Sequence, residues 1–371
     1  MVLKFLDLQK QYEEIKPEID KAIADVVRDA AFISGPYAAR FEAAFAAFQG
    51  AEFCIGCGNG TDAIEIAIEA LALPPGSEII VQANSFIATS EAVTRAGHRV
   101  VFCDCDPDDY TISLESLRAK VTERTKAAIV VHIYGQPCRM DAVLAVAREF
   151  GLKVIEDCAQ AHGADVMGQP VGAIGDVGTF SFYPGKNLGA YGDAGAMTTN
   201  DPALAKRMRM IANHGRIAKY DHEFEGRNSR LDGLQAAILS AKLKHLPAWI
   251  ARREAVAAQY RAGLADLGDL VLPAHRNWGR HVYHLFVVRT KRRDALKEFL
   301  AERGVETGIH YPIALPKLAA YAYLGQQNEA LVANRLDGEV LSLPIGDHMS
   351  VEDAKDVVAA VKDFFDAPSR S

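Results

Sequence analysis

Lys186 lies in VGTFSFYPGKNLGAYGDAGA (177–196), between an aromatic-rich strand candidate ending at Tyr183 and a glycine-rich loop. A Pro-Gly turn there would hold the amine rigidly against a pocket. Burial would then lower its pKa enough for Schiff-base attack on a carbonyl. A phosphate-binding P-loop would need G-x-x-x-x-G-K-[ST], but Phe180 stands at the first glycine and Asn187 at the Ser/Thr. A surface lysine in a turn is the remaining alternative. In KVIEDCAQAHGA (153–164), Glu156 and Asp157 close a second apolar run. Ligands of open α/β sheets lie just outside such carboxyl ends. Pyridoxal phosphate (PLP) needs an anion beside its pyridine nitrogen to remain an electron sink. Asp157 could supply it, with its own pKa depressed by the ring cation; otherwise it is a strand-end cap. Gln160, three residues on, could reach the ring's phenolic oxygen.

CIGCGNGTDAIEIAIEAL (54–71) is a glycine-rich turn running into a helix. The first-turn amides of Gly60, Thr61 and Asp62, with the positive helix end, form an anion site. The glycines read G-x-G-x-G rather than the dinucleotide pattern, and no strand-end acid follows about twenty residues on, which argues against NAD. Phe86 follows another strand end and could stack on a flat ring or simply join the core. Asn228 and Arg230, in GRNSRLDGLQAA (226–237), open a helical stretch with Asp232 near its start.

Short apolar runs must position these groups. Strand candidates are 78–83, 99–104, 127–134, 153–158, 177–183 and 195–200, each bounded by Gly, Asp or Pro. Helical patterns occupy 60–73, 85–96 with Ser85 as N-cap, 141–150 with Asp141 at its start, and 201–213. Such alternation predicts a mostly parallel sheet covered by helices. Residues 231–264 are mainly helical with a break at Pro247, 281–290 form a strand candidate, and 351–365 a last amphipathic helix. The expected organisation is a large α/β domain over 1–245 and a smaller α+β domain over 246–371.

The 371 residues carry a net charge of -7, with 49% hydrophobic and 24% charged residues. An acidic chain without a Lys/Arg block has no electrostatic footprint for nucleic acid. The charge-interrupted N-terminus is not a signal or transit peptide, and no apolar run is long enough to span a membrane, so a cytoplasmic location is expected. Cys54 and Cys57 form a C-x-x-C, but no second ligand pair stands at zinc spacing; the six cysteines read as small buried hydrophobes, with no metal expected.

Taken in order, GNGTDA, NSFIATSEA, EDCAQAHGA, SFYPGKNLGAYGDAGA, GRNSRLDGLQAA and GIHYPI resemble the DegT/DnrJ/EryC1/StrS family of nucleotide-sugar aminotransferases from about Phe5 to the C-terminal helix. The resemblance implies PLP fold type I, similar to aspartate aminotransferase, with a large α/β domain on a mostly parallel mixed sheet. It also implies a homodimer with shared active sites. Lys186 would be the Schiff-base lysine and proton carrier, and Asp157 the partner of the ring nitrogen. Gln160 would meet the ring hydroxyl and Phe86 the ring face. Gly60, Thr61 and Ser181 would bind the phosphate, with Asn228 reaching it from the other subunit. His310, Tyr311 and Tyr183 would touch the sugar nucleotide, and Arg216 and Tyr220 its nucleotide end.

The implied reaction transfers the amine of L-glutamate to a keto-sugar on a nucleoside diphosphate. Dehydratases of the family have His at the lysine position, so Lys186 points away from them. The lysine loop resembles the branch acting on dTDP-3-keto-6-deoxyhexoses. The small residues from Asn187 to Gly192 could let the hexose enter with C3 facing the amine, giving a dTDP-3-amino-3,6-dideoxyhexose. Alternatives are a 4-keto-sugar transaminase, a PLP-binding regulator without turnover, and an NAD-dependent sugar enzyme. The chain departs from the family in GIHYPIALPKL, where Ala314 and Pro316 replace an expected Pro and His.

Overall fold

The computed structural model describes residues 2–367. Helices α1 (Leu8–Arg28) and α2 (Gly35–Gln49) lead into strand β1 (Phe53–Cys57). Helix α3 (Gly60–Ala70), β2 (Glu78–Gln82), α4 (Ile87–Arg95), β3 (Arg99–Cys103), α5 (Leu114–Ala119), β4 (Thr125–Val131), α6 (Met140–Phe150) and β5 (Lys153–Asp157) follow. A short pair, β6 (Asp165–Val166) and β7 (Gln169–Pro170), precedes β8 (Val177–Ser181), β9 (Gly195–Thr199) and α7 (Pro202–Ala212). Seven strands form one sheet in the order β1-β9-β8-β5-β4-β2-β3. Only β9 runs against the others, as its antiparallel pairing with both β1 and β8 requires.

Strand alternation divides the side chains between two layers. Ala128, Val130, Val154 and Phe180 enter one core with Phe41 and Phe45 of α2 and Val143 of α6. Ala127, Ile129 and Ile155 enter the other with Ala63 of α3, Val93 of α4 and Met208 of α7. The result is a sheet between two helical layers, the α/β architecture expected from the alternation of elements.

The hairpin β10 (Arg216–Ala218) and β11 (Asp221–His222) leads to α8 (Gly233–Leu243) and α9 (Leu246–Leu264). Pro247 sits in the first turn of α9, where its missing N–H costs nothing, so the expected break is a junction of two helices. Leu246 and Ile250 pack into the first core. Val256, Tyr260 and Leu264 pack instead with a third core. That core is built on β13 (Phe286–Arg289), α10 (Arg293–Glu302), β14 (Val340–Leu343) and α12 (Val351–Asp366). Strand β12 (Gly279–Arg280) joins β6, and α11 (Val332–Leu336) packs on the second core. The packing thus changes within α9, between Ile250 and Val256, a few residues beyond the boundary at 245/246 that we propose.

Several local expectations are corrected. The strand candidate at 281–290 is extended only over 286–289, because Tyr283 has φ 45° and its neighbours bond to the carbonyls of Gly135 and Tyr134. Ser85 is not an N-cap: its hydroxyl pairs with that of Thr89 and Phe86 holds the cap position. Helix α6 starts at Met140, with Asp141 in its first turn. FCIGC, read from sequence as part of a glycine turn, is strand β1. Its Gly56 is needed because a Cβ there would lie 2.6 Å from that of Leu231.

Candidate active site

Register places the chemistry on one edge of the sheet. Cys57 at the end of β1 and Ser181 at the end of β8 both pair with Gly195. The start of α3 and the start of the lysine loop therefore emerge side by side. Gly195 permits this, since a Cβ there would strike the Asn59 carbonyl at 2.3 Å, and a Cβ on Gly60 would meet the Ser181 side chain at 2.6 Å. Asp157 at the end of β5 pairs with Thr179 of β8, so its carboxyl opens on the same edge.

Alternation decides which side chains face the cavity there. Phe180 and Phe182 of the lysine segment turn into an aromatic cluster with Phe45, at ring separations of 4.9 and 5.1 Å. Edge-to-face pairs of this kind contribute about 0.5–1.5 kcal/mol each. Ser181 and Tyr183 consequently face the other way and line a cavity of about 790 Å³, as does Lys186 beyond them. On β5, Asp157 faces the cavity, whereas Glu156 points to the opposite layer. Glu156 there accepts from the Ile174 and Gly175 amides at 2.9 and 2.7 Å and pairs with His132 Nε2 at 3.0 Å. His132, Glu156 and Cys158 lie close enough together to hold an ion, but each already has hydrogen-bond partners inside the core. All six cysteines are free and buried.

The cavity gathers Gly60, Thr61, Phe86, Asp157 and Gln160 with Ser181, Tyr183, Lys186 and Tyr311. At one end, the Asn59 side chain caps α3 by accepting from the Asp62 amide at 2.8 Å. The Gly60 and Thr61 amides belong to the first turn, which has no partners within the helix. Two first-turn amides and the Thr61 and Ser181 hydroxyls thus suit a phosphate. Ser229 braces this turn, accepting from the Gly58 amide at 2.9 Å and donating to Asp62 at 2.6 Å.

At the other end, Asp157 accepts from the Thr89 hydroxyl at 2.8 Å and from the Ala159 amide at 3.1 Å. Burial raises its pKa, opposed by these two bonds and by the Lys186 charge. The depression expected for this carboxyl is therefore not a property of the protein alone. A buried carboxylate held above its ordinary range is stabilised by a further cation, such as a pyridinium. Lys186 moves the opposite way: removal from water lowers its amine to about 8, with Asp157 opposing. Gln160 is oriented by the Tyr134 amide, which donates to its Oε1 at 2.6 Å, while its Nε2 donates to the Tyr311 hydroxyl at 2.9 Å. The Phe86 ring is tilted against Tyr311 at 5.9 Å. A phosphate cradle, a buried anion, a low-pKa amine and an aromatic wall in one cavity form a donor set that fits PLP.

A smaller cavity of about 220 Å³ adjoins the first, and His310 lines it together with Lys186, Tyr183, Gln160 and Tyr311. His310 Nδ1 pairs with the Ser342 hydroxyl at 2.8 Å. Burial and the Lys186 charge lower its pKa to about 4. Asn228, Arg216 and Tyr220 line neither cavity. Asn228 is exposed, Arg216 half-buried, and Tyr220 is 86% exposed on the 216–222 hairpin. Ala314 and Pro316, at the departure from the family pattern, are buried next to a short turn that bonds to the Ala83 carbonyl.

Sequence reasoning missed three supporting residues. Thr89 could have been suspected as a hydroxyl one turn beyond Phe86. Lys242 is wholly buried within α8, and its amine donates to the Gly189 carbonyl of the lysine loop at 2.6 Å. His284 also lines the smaller cavity. Nothing in their local sequence marks these last two, because their partners lie 53 and 97 residues away.

Residues 13–362 match the model of the DegT/DnrJ/EryC1/StrS aminotransferase family. The chain is 45% identical to a pleiotropic regulatory protein of Geobacillus stearothermophilus, covering 98% of this chain and 99% of that one. It is 44% identical to the dTDP-3-amino-3,6-dideoxy-alpha-D-galactopyranose transaminase of Aneurinibacillus thermoaerophilus, covering 98% and 99%. It superimposes on the crystal structure of S. venezuelae DesV, solved with a ketimine intermediate, with a TM-score of 0.97 at 42% identity, covering 99% of this chain and all of that one. A matching family model over nearly the full length, a shared fold and a cavity with the expected lysine and aspartate agree: the chain belongs to the DegT/DnrJ/EryC1/StrS aminotransferase family.

Proposed function

We propose that this protein is a PLP-dependent transaminase that moves the amino group of L-glutamate to C3 of a dTDP-3-keto-6-deoxyhexose, giving a dTDP-3-amino-3,6-dideoxyhexose. The observation that carries the reading is Lys186, an amine lowered to about 8, sharing one cavity with Asp157 and the α3 phosphate cradle. The Aneurinibacillus relative, named for a 3-amino-3,6-dideoxy sugar, supports the C3 assignment. Bound PLP supplies an electron sink for carbanion chemistry at the amino acid's α-carbon.

The protein's residues do the rest. Gly60, Thr61 and Ser181 hold the phosphate, Asp157 keeps the proton on the ring nitrogen, and Gln160 binds the ring oxygen. The Lys186 amine removes the proton from the donor's α-carbon, a role its near-neutral pKa suits. Tyr183, His310 and Tyr311 contact the sugar nucleotide. A regulator without turnover is the second reading, favoured by the name of the Geobacillus relative. Purified protein with glutamate and matched 3-keto and 4-keto dTDP-sugars separates these readings: turnover of the 3-keto sugar is expected. No glutamate-dependent change in cofactor absorbance would favour the regulator, and turnover of the 4-keto sugar alone would overturn the C3 assignment.

Two further outcomes follow from the same reading. Lys186 must be neutral to attack the cofactor carbonyl. Covalent capture of PLP by apoprotein should therefore accelerate as pH rises and level off above about 8. Stopped-flow absorbance checks this; a rate still climbing with the slope of an ordinary lysine near 10 would contradict the assigned environment.

Asn228 is exposed and lies outside the cavities of its own chain. That placement suits a phosphate contact made in a dimer partner's site. Mixing a Lys186→Ala protein with one crippled at Asn228 should then restore part of the activity through hybrid dimers. A fully active monomer in sedimentation under assay conditions would rule the shared site out.

A further inference from the structure

His284 is drawn against the lysine loop from the C-terminal part of the chain. The amides of Val282 and Leu285 donate to the carbonyls of Gly135 and Tyr134 at 3.0 and 3.1 Å. Gly135 has no room for a side chain, since a Cβ there would lie 2.9 Å from the His284 nitrogen. The imidazole thus has a fixed backbone and lines the smaller cavity together with Lys186 and Tyr311.

Its tautomer follows from Asn187, the buried residue after the lysine. Asn187 Nδ2 donates to the Val282 carbonyl at 3.1 Å, which turns its Oδ1 toward His284 Nδ1, also at 3.1 Å. An amide oxygen only accepts, so the His284 proton sits on Nδ1 and Nε2 carries a lone pair. Burial, with the Lys186 charge added, keeps the ring well below its usual pKa and hence neutral. Nε2 has no hydrogen-bond partner among the described residues and belongs to a side chain lining a cavity.

An acceptor at that place calls for a donor on the ligand. A carboxylate of the amino-acid donor is the poorer match, because it would bring another lone pair to the Nε2 of a neutral ring. Arg253, which also lines this cavity, already donates to three carbonyls and faces Asp347. A sugar hydroxyl is the complementary group. We propose that His284 Nε2 accepts a hydrogen bond from the hexose hydroxyl on C2 or C4, next to the aminated carbon, and so makes His284 a specificity-determining residue. This rests on the nucleotide-sugar reading above.

The test uses holoenzyme, with a dTDP-3-amino-3,6-dideoxyhexose and its 2-deoxy and 4-deoxy counterparts as probes. Both affinity by calorimetry and transamination of 2-oxoglutarate in the reverse direction are measured. One of the two deoxy counterparts should bind wild type at least about tenfold more weakly, the cost of a buried acceptor left without its donor. In His284→Phe that penalty should vanish, and His284→Gln, which keeps an acceptor, should retain part of it. Equal binding of all three probes by wild type, which needs no variant to fold, would overturn the proposal. So would a penalty unchanged in His284→Phe. If the parent sugar itself is neither bound nor transaminated, the nucleotide-sugar reading fails first, a result distinct from uniform binding of all three.

Discussion

Lys186→Ala is expected to abolish transamination, leaving less than about one-thousandth of wild-type turnover, while the folded protein persists. The side chain occupies a cavity wall rather than the packed core, so its truncation removes chemistry without opening a hydrophobic void. Two roles disappear together: the covalent attachment of the cofactor and the base that moves the α-proton. The phosphate cradle at α3 and the Asp157 carboxyl remain, so the variant should still take up PLP noncovalently. Borohydride reduction followed by peptide mass analysis checks both halves. Wild type should be labelled on Lys186, and the variant should carry no label. Normal turnover in the variant, or label on another lysine of the wild type, would refute the assignment.

Asp157→Asn should lower turnover by at least about a hundredfold. The shape of the site is nearly unchanged, because the amide can still meet Thr89 and Ala159. What disappears is a negative charge, and with it the reason for a proton to stay on the ring nitrogen. Asn also lacks the charge that opposes the lowering of the Lys186 amine. The pKa of free Lys186 should therefore fall below about 8 in the variant, and the pH at which apoprotein captures PLP should fall with it. Wild-type kcat in Asp157→Asn would show that the carboxylate is only a strand-end cap.

The motif residues were legible as candidates because their types and local spacing carry the physics. A lysine after Pro-Gly at a strand end, an acid at the end of a buried strand and glycines before a helix each left a bland alternative open, and their order along the chain, matched to the family, assigned the roles. The sheet was legible from apolar runs of strand length, which predicted β2, β3, β4, β5, β8 and β9 within a few residues. Strand β1 escaped because Gly56 and its neighbours read as turn chemistry; the glycine answers to Leu231, 175 positions away by residue number. Asp157 was preferred to Glu156 from the sequence already; the structure adds that Asp157 faces the cavity while Glu156 turns to His132. Lys242 and His284 were invisible for the same reason as Gly56: each acquires its meaning from a long-range contact with the lysine loop. Arg216 and Tyr220 show the converse, since family resemblance named them and the single chain leaves both outside the cavities.

Delivery of the glutamate nitrogen to C3 is tested by NMR of the product formed from nitrogen-15 glutamate and a dTDP-3-keto-6-deoxyhexose. A labelled amine coupled to the proton on C3 is expected, with 2-oxoglutarate formed in equal amount. Label on C4, or no labelled sugar at all while the cofactor is fully bound, would contradict it.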